Sequence, residues 1–273
     1  MTNWLTGPVA ITGADGHVGS FVRVRLAELV NEVRPLARAD DLAWALRNAD
    51  ALIHLAGTLQ AIGGNTLEAA NVETVRRSVT ALAGSSVRRV VFLSYAGADP
   101  DSDNDYLRSK GEAERLILGC GREAVVMRST FIYGPPENPG PSARPSVSKA
   151  GRPVSVVGSG SQRYAPVYVV DVAEALVRFA LDPAASTGTF TIGGPDTMTA
   201  DDFADTLSGA NVTERHLPRR LARALAHVVP SLTPAMVDVL ADDSLADGPL
   251  AADAIGLELH AIADIYGHRE AAS

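Results

Sequence analysis

Tyr106-Leu-Arg-Ser-Lys110 is the stretch whose residue types could carry the most chemistry. A spacing of four puts the phenol and the ammonium on one face of a helix. A free phenol titrates near about 10, and an adjacent ammonium is expected to lower that value by favouring the phenolate. A tyrosine tuned in this way gives a proton to a carbonyl oxygen or takes one from an alcohol. Ser94, at the end of the apolar run that precedes this helix, could hold a substrate oxygen beside Tyr106, with Tyr95 next to it as a further substrate contact. The plainer alternative is an exposed Tyr/Lys pair on a solvated helix.

A second stretch, Val9-Ala-Ile-Thr-Gly-Ala-Asp-Gly-His-Val-Gly19, reads as a buried strand, a glycine turn and the start of a helix. That order places a pyrophosphate on helix N-terminal amides. Gly13 suits the sharp turn, Gly16 a close approach of backbone to phosphate, and Gly19 close packing of helix on strand. Asp15, His17 and Val18 lie in the same turn and are candidate contacts; for His17 an exposed turn position is an equal alternative. With 24 glycines in the chain, such a triple carries weight only through its context. Beside a dinucleotide, Lys110 is also suited to bond ribose hydroxyls.

The elements that must position these residues alternate. A helix from Ser20 to about Asn31 follows the glycine turn, then a strand from Glu32 to Ala37. A helix capped by Asp40 or Asp41 comes next, and then a buried strand in Ala51–Gly57. A helix over Leu67–Ala83, a strand over Val87–Leu93, a helix over Tyr106–Leu118 and a strand over Ala124–Met127 continue the series. Alternation of this kind implies an α/β fold with a doubly wound parallel sheet. Residues 135–164, rich in Pro, Gly and Ser, read as a loop region over the carboxyl end of the sheet. A strand at Val167–Val170, a helix at Asp171–Leu181 and a short strand at Thr189–Ile192 follow. Thr199-Ala-Asp-Asp202 has the pattern of a capping box, and the tail from 211 reads as mostly helical with breaks at Pro218, Pro230 and Pro234.

Together these residues resemble the short-chain dehydrogenase/reductase superfamily over positions 8 to about 200. The resemblance rests on Thr12-Gly-x-x-Gly-x-x-Gly19, His54-Leu-Ala-Gly57, Asn71, Ser94, Tyr106-x-x-x-Lys110 and Ile132-Tyr-Gly-Pro135. The Tyr-Gly-Pro segment and the long tail point to the extended or atypical branch. Tyr106–Glu112 and Arg163–Ala173 look most like the group of the NADPH-binding accessory subunit of respiratory complex I. The resemblance implies a Rossmann sheet with a small, mostly helical C-terminal substrate part. The division is 1–134 with 165–181 for NAD(P), and 135–164 with 182–273 for substrate. It implies Gly13, Gly16 and Gly19 at the pyrophosphate, and Leu55, Ala56 and Gly57 near the adenosine and ribose side. Ser129, Thr130 and Ile132 would lie at the nicotinamide, with Tyr106, Lys110 and Ser94 catalytic. Asn71 would hold its helix and a proton path, or be an ordinary polar helix residue.

The sequence departs from that family in two places. Only one strand is visible between Gly13 and His54, so one early strand is missing. Arg38 after that strand favours the 2′-phosphate of NADP, whereas Asp41, beside Asp40, would favour NAD; NADP is preferred. Ser94 is followed by Tyr95-Ala-Gly97, so the acid and base of a sugar dehydratase have no candidate there. The expected function is therefore NAD(P)-dependent hydride transfer to or from a carbonyl or alcohol. A sugar-nucleotide epimerase is the nearest variant, and a non-catalytic NAD(P)-binding sensor or assembly protein is the alternative of another class. Arg163 is a candidate contact for an anionic substrate; Arg144 and Arg152 are weaker ones.

A net charge of −8 argues against a general nucleic-acid binder and for a small-molecule partner. One cysteine, Cys120, excludes an intrachain disulfide and suits a reducing cytoplasm. No signal-peptide pattern and no membrane-spanning apolar run is expected. The resemblance leaves a homodimer open. The six histidines lack short metal-ligand spacing, so no metal is expected, and the alternating Asp99, Asp101, Asp103 and Asp105 read as a solvated loop rather than a calcium site.

Overall fold

The computed structural model describes residues 4–60, 64–148, 153–209, 213–229 and 232–267. Lys149, Arg152, Pro230 and His268 lie outside the described residues.

Six strands form one parallel sheet. They are β1 (Val9–Thr12), β2 (Val33–Leu36), β3 (Ala51–His54), β4 (Arg89–Tyr95), β5 (Glu123–Ser129) and, after four short strands described below, β10 (Gly188–Ile192). Their order is β10-β5-β4-β3-β1-β2. β1 and β3 are buried at every residue, the mark of strands covered on both faces. Alternation divides the side chains between two cores. Val9, Ile11, Ile53, Val91, Val125 and Met127 face one layer, with α1 (His17–Ala27) and α6 (Val169–Leu181). Ala10, Leu52, Val90, Phe92 and Val126 face the other, with α3 (Glu73–Leu82) and α4 (Asp105–Leu118). Each fully buried aliphatic side chain in these layers contributes roughly 1.5–3 kcal/mol.

The strand order reverses between β1 and β3: the chain leaves β1 toward β2 and returns to pair β3 on the other side. In such sheets the carboxyl ends at the reversal form the ligand crevice. As expected from the sequence, one strand, β2, intervenes between the glycine turn and β3. It is the sheet edge and holds Pro35 in register with Ile11. α2 (Leu42–Leu46) follows it, capped by Asp41, whose carboxylate accepts from the Trp44 N–H at 3.1 Å.

Two expectations are corrected. Residues 135–164 are not uniformly loop. β6 (Ile132–Tyr133) leads into them, they include α5 (Gly140–Ala143), β7 (Val154–Val157) and β8 (Arg163–Tyr164), and β9 (Val167–Tyr168) follows. β11 (Met198–Thr199) and α7 (Ala200–Ser208) follow β10, and the tail from 211, expected to be mostly helical, begins with a strand, β12 (Glu214–Leu217), before α8 (Arg219–Leu225), α9 (Pro234–Ala241), α10 (Ala251–Ile255) and α11 (Ile262–Tyr266). β7 and β12 pair in parallel, from Glu214↔Val154 to Leu217↔Val157. Each is four residues long, and their pairing is a long-range property that no local period signals. The Thr199–Asp202 capping box forms as expected. A third core, including Tyr133, Val156, Tyr164, Phe203, Leu207 and Tyr266, packs these later elements together.

No helix among the described residues is long and apolar enough to cross a membrane.

Candidate active site

The glycine turn joins β1 to α1. Gly13 adopts φ 70°, and a Cβ there would lie 2.7 Å from the Ala56 nitrogen. A Cβ on Gly19 would lie 2.2 Å from the Gly13 carbonyl oxygen, so a side chain at either position would push the helix, β1 or the end of β3 apart. Gly16 is the α1 N-cap, and its N–H donates to the Gly13 carbonyl at 3.0 Å. Gly13, Asp15, Gly16, Ala56 and Gly57 line a cavity of about 400 Å³ at the strand reversal. The side-chain-free turn leaves this space for a dinucleotide backbone, and the positive end of α1 opens there.

Arg38 lines the far side of the same cavity, together with Arg77, a residue that the sequence reading missed. Arg77 projects from α3, and its Nη1 donates to the Arg38 carbonyl at 3.0 Å. The two competing aspartates are engaged elsewhere: Asp40 accepts from the Ala37 N–H at 2.7 Å, and Asp41 caps α2 and is not among the lining residues. An arginine on α3, next to the buried Ser78, gives no local sequence signal, since only the packing of α3 brings it to the cavity.

A second cavity, of about 300 Å³, adjoins the first, and Gly57 and Thr58 line both. Into it face Leu55, Ser94, Tyr95, Tyr106, Lys110, Ser129, Thr130 and Ile132, all of them expected site residues. β4 delivers Ser94 and Tyr95, α4 delivers Tyr106 and Lys110, and the end of β5 delivers Ser129. Asn104 fixes the start of α4 by accepting from the Tyr106 and Leu107 N–H groups at 3.0 and 3.2 Å. The Ser94 hydroxyl is buried without a hydrogen-bond partner among the described residues, while Tyr95 shares a hydrogen bond of 3.2 Å with Ser244.

Lys110 is buried; its Nζ donates to the Leu93 carbonyl at 2.6 Å and lies 4.2 Å from the centroid of the Phe92 ring. Burial pushes its pKa down to about 7, against the opposing pull of Glu114 one turn further along α4. Glu114 is itself held by Arg128, with bonds of 2.9 and 2.6 Å. The expected lowering of the Tyr106 pKa by Lys110 is corrected: desolvation dominates and raises it. The phenol is thus held protonated at neutral pH, in the form that donates.

Asn71 lies in a π-helical turn, Glu68–Val72, that precedes α3. It is buried and bonds both backbone groups of Thr58 and the Ser109 hydroxyl, tying the segment after β3 to α4. Such π-turns often accompany functional sites. His54 is buried beside Phe92, its Nδ1 3.2 Å from the Ser78 hydroxyl.

Besides Asp41, three expected contacts lie elsewhere. Val18 packs on the core beneath α1. The His17 ring stands edge-on to Phe21, 5.6 Å between centroids, and lies against Gly134 and Gly140 rather than along either cavity. Burial lowers its pKa, with the charge of Arg144 adding to the effect. Arg163 is exposed and lines neither cavity. Alternation along β8 turns Tyr164 inward against Phe131 and Arg163 outward. The lining of the second cavity also includes Phe131, Ser142, Met236 and Leu240. The last two come from α9, which sequence periodicity could place on a helix but not at the site.

Comparison with known proteins adds to this geometry. The chain is 29% identical over 170 residues to the mitochondrial NADH dehydrogenase (ubiquinone) 1 alpha subcomplex subunit 9 of Arabidopsis thaliana, covering 62% of this chain and 42% of that protein. It is 27% identical over 199 residues to the ceramide reductase of Caulobacter vibrioides, covering 65% of this chain and 62% of that protein. The chain thus spans less than two thirds of the length of either relative. In fold it is similar to MoeE5 in complex with UDP-glucose and NAD, with a TM-score of 0.73, 20% identity, and 96% of this chain and 98% of that chain covered. The model of the NAD dependent epimerase/dehydratase family matches residues 9–193, and the chain belongs to that family.

Proposed function

We propose that this chain is an NADPH-preferring reductase that reduces a carbonyl compound to an alcohol, or runs the reverse reaction. The observation that carries the reading is the convergence of Tyr106, Lys110 and the unpartnered Ser94 hydroxyl on a cavity continuous with the glycine-turn cavity. The residues fit a nicotinamide dinucleotide: a turn free of side chains for the pyrophosphate, and a groove that runs past Gly57 to the reactive end. A bound nicotinamide supplies the hydride.

The chain's own part is positioning and proton transfer. Ser94 donates its free hydroxyl to the substrate oxygen. Tyr106 delivers its proton to the same oxygen as negative charge develops there. Lys110, fixed on the Leu93 carbonyl, places a positive charge beside the site and offers its remaining protons to the ribose hydroxyls. Asn71 keeps Thr58 in place where the two cavities meet. Arg38 and Arg77 favour the 2′-phosphate of NADP, because the aspartates that would favour a 2′-hydroxyl are occupied by backbone N–H groups. Residues 1–134 and 165–181 hold the cofactor, and 135–164 with 182–273 shape the substrate side. The single free cysteine, Cys120, suits a cytoplasmic setting.

The relatives support a redox reading: one is named a ceramide reductase and another an NADH dehydrogenase subunit. The test is NADPH and NADH binding by fluorescence, followed by NADPH oxidation across a panel of carbonyl compounds, with Tyr106→Phe as control. Binding of neither nucleotide, or turnover unaltered by Tyr106→Phe, defeats the reading.

A further inference from the structure

Resting on that reading, we infer that the substrate is a neutral ketone or aldehyde carried on an apolar body, and not a nucleotide-diphosphate sugar. The lining of the second cavity motivates this. Its walls include Leu59, Leu93, Phe131, Ile132, Met236 and Leu240. Its polar groups are hydroxyls and one side-chain amide, apart from Lys110. No carboxylate and no guanidinium is among the described lining residues.

A diphosphate would bring negative charge into this space and would need cations to meet it. Lys110 bonds the Leu93 carbonyl and, in the proposed complex, gives its other protons to the cofactor ribose, so it is not left over for a substrate diphosphate. Three guanidiniums outside the cavity are held by carboxylates. Arg219 bonds Asp238 at 2.9 Å and Asp242 at 2.7 Å, and Arg223 bonds Asp238 at 3.0 Å, all in the neighbouring cavity. Arg128 is held by Glu114, and Arg163 points away from the cavity.

α9 divides these two environments by its periodicity. Met236 and Leu240, one turn apart, face the second cavity, while Asp238 and Asp242 face the arginines. The helix therefore offers the substrate its apolar side and keeps its charge on the other. At the rim, Gln60 Nε2 lies 3.4 Å from Met236 Sδ, so the segment after β3 and α9 meet over the cavity. The nicotinamide ring shares this space, so the substrate's body extends along the Met236–Leu240 side.

The reaction balances as a two-electron reduction. The carbonyl carbon takes hydride from NADPH, the C=O π pair moves to oxygen, and that oxygen takes the Tyr106 proton. The carbonyl becomes an alcohol and NADPH becomes NADP⁺. The proton returns to Tyr106 from solvent.

The test uses the full chain and measures binding by equilibrium dialysis, with NADPH binding measured in parallel. The probes are 2-butanone, 2-heptanone, 2-undecanone and UDP-glucose. Affinity for the ketones is expected to rise by roughly fourfold per added methylene until the cavity is filled. UDP-glucose is expected to bind more weakly than 2-undecanone. Met236→Glu and Leu240→Glu should each weaken 2-undecanone by about tenfold or more, with melting temperature confirming the fold. UDP-glucose binding as tight as the longest ketone, ketone affinity independent of chain length, or binding of no probe overturns the inference. Length-dependent ketone binding without NADPH oxidation supports the substrate class while defeating the hydride-transfer reading, so the two can fail separately.

Discussion

Asn71 holds Thr58 by both of its backbone polar groups. Its Oδ1 accepts from the Thr58 N–H at 2.8 Å and its Nδ2 donates to the Thr58 carbonyl at 3.0 Å. The same amide nitrogen donates to Ser109, the neighbour of Lys110, at 2.9 Å. One buried carboxamide thus links the strip shared by the two cavities to the helix that carries Tyr106 and Lys110.

Asn71→Leu is expected to leave the Thr58 backbone and the Ser109 hydroxyl short of partners. Each unsatisfied buried group costs about 1–3 kcal/mol. Melting temperature should fall by several degrees, and NADPH affinity should weaken with it because Thr58 moves. A variant with wild-type stability and affinity would remove Asn71 from this role.

Tyr106→Phe deletes the proton donor and little volume. Turnover should drop by about 10²–10⁴-fold while the dissociation constant for NADPH stays within about twofold. Stopped-flow turnover and nucleotide fluorescence on the same preparation check the split. Equal loss of both would mean that the hydroxyl supports cofactor binding instead.

Arg38→Ala and Arg77→Ala should each weaken NADPH and spare NADH. A charge-assisted hydrogen bond lost to phosphate is worth about 1.5–3 kcal/mol, or about 10–150-fold in affinity. Competition by 2′,5′-ADP against 5′-ADP isolates the phosphate from the rest of the cofactor. Equal weakening of both nucleotides would assign the arginines to adenine or to folding.

His54 supplies a pH dependence of stability. Burial, then the charge of Lys110, pushes its pKa down to about 3, so the folded protein holds it neutral. The unfolded chain binds a proton near the ordinary value of about 6.5, so this contribution is full above that pH and is lost as pH falls from there toward about 3. The loss is about 1.4 kcal/mol per pH unit across that window. Urea unfolding from pH 7 to pH 4 should show this slope in excess of that of His54→Gln. Parallel curves for the two proteins would contradict it.

Much of the fold was legible because its signals are local. Val9–Thr12 and Ala51–His54 are apolar at nearly every position, the glycine turn follows β1 directly, and Tyr106 and Lys110 share a helix face at a spacing of four. What escaped was set by distant packing. Arg77 reaches the groove only because α3 packs beside β3, where its neighbour Ser78 meets His54. Met236 and Leu240 belong to a helix more than a hundred residues after Tyr106. Arg163 was misplaced because a two-residue strand gives too little alternation to tell inside from outside. The Tyr106 pKa was misjudged because spacing reports the neighbouring charge and says nothing of desolvation.

The short first half of the sheet has one more effect. Losing a strand beyond β2 exposes a line of backbone donors and acceptors to any other chain. The Val9 N–H bonds the Glu32 carbonyl, so alternation turns the backbone groups of Arg34 toward β1 and those of Val33 and Pro35 outward. Proline at an outward position has no N–H to offer. The truncated border is therefore a poor template for strand addition, which guards the chain against edge-to-edge polymerisation.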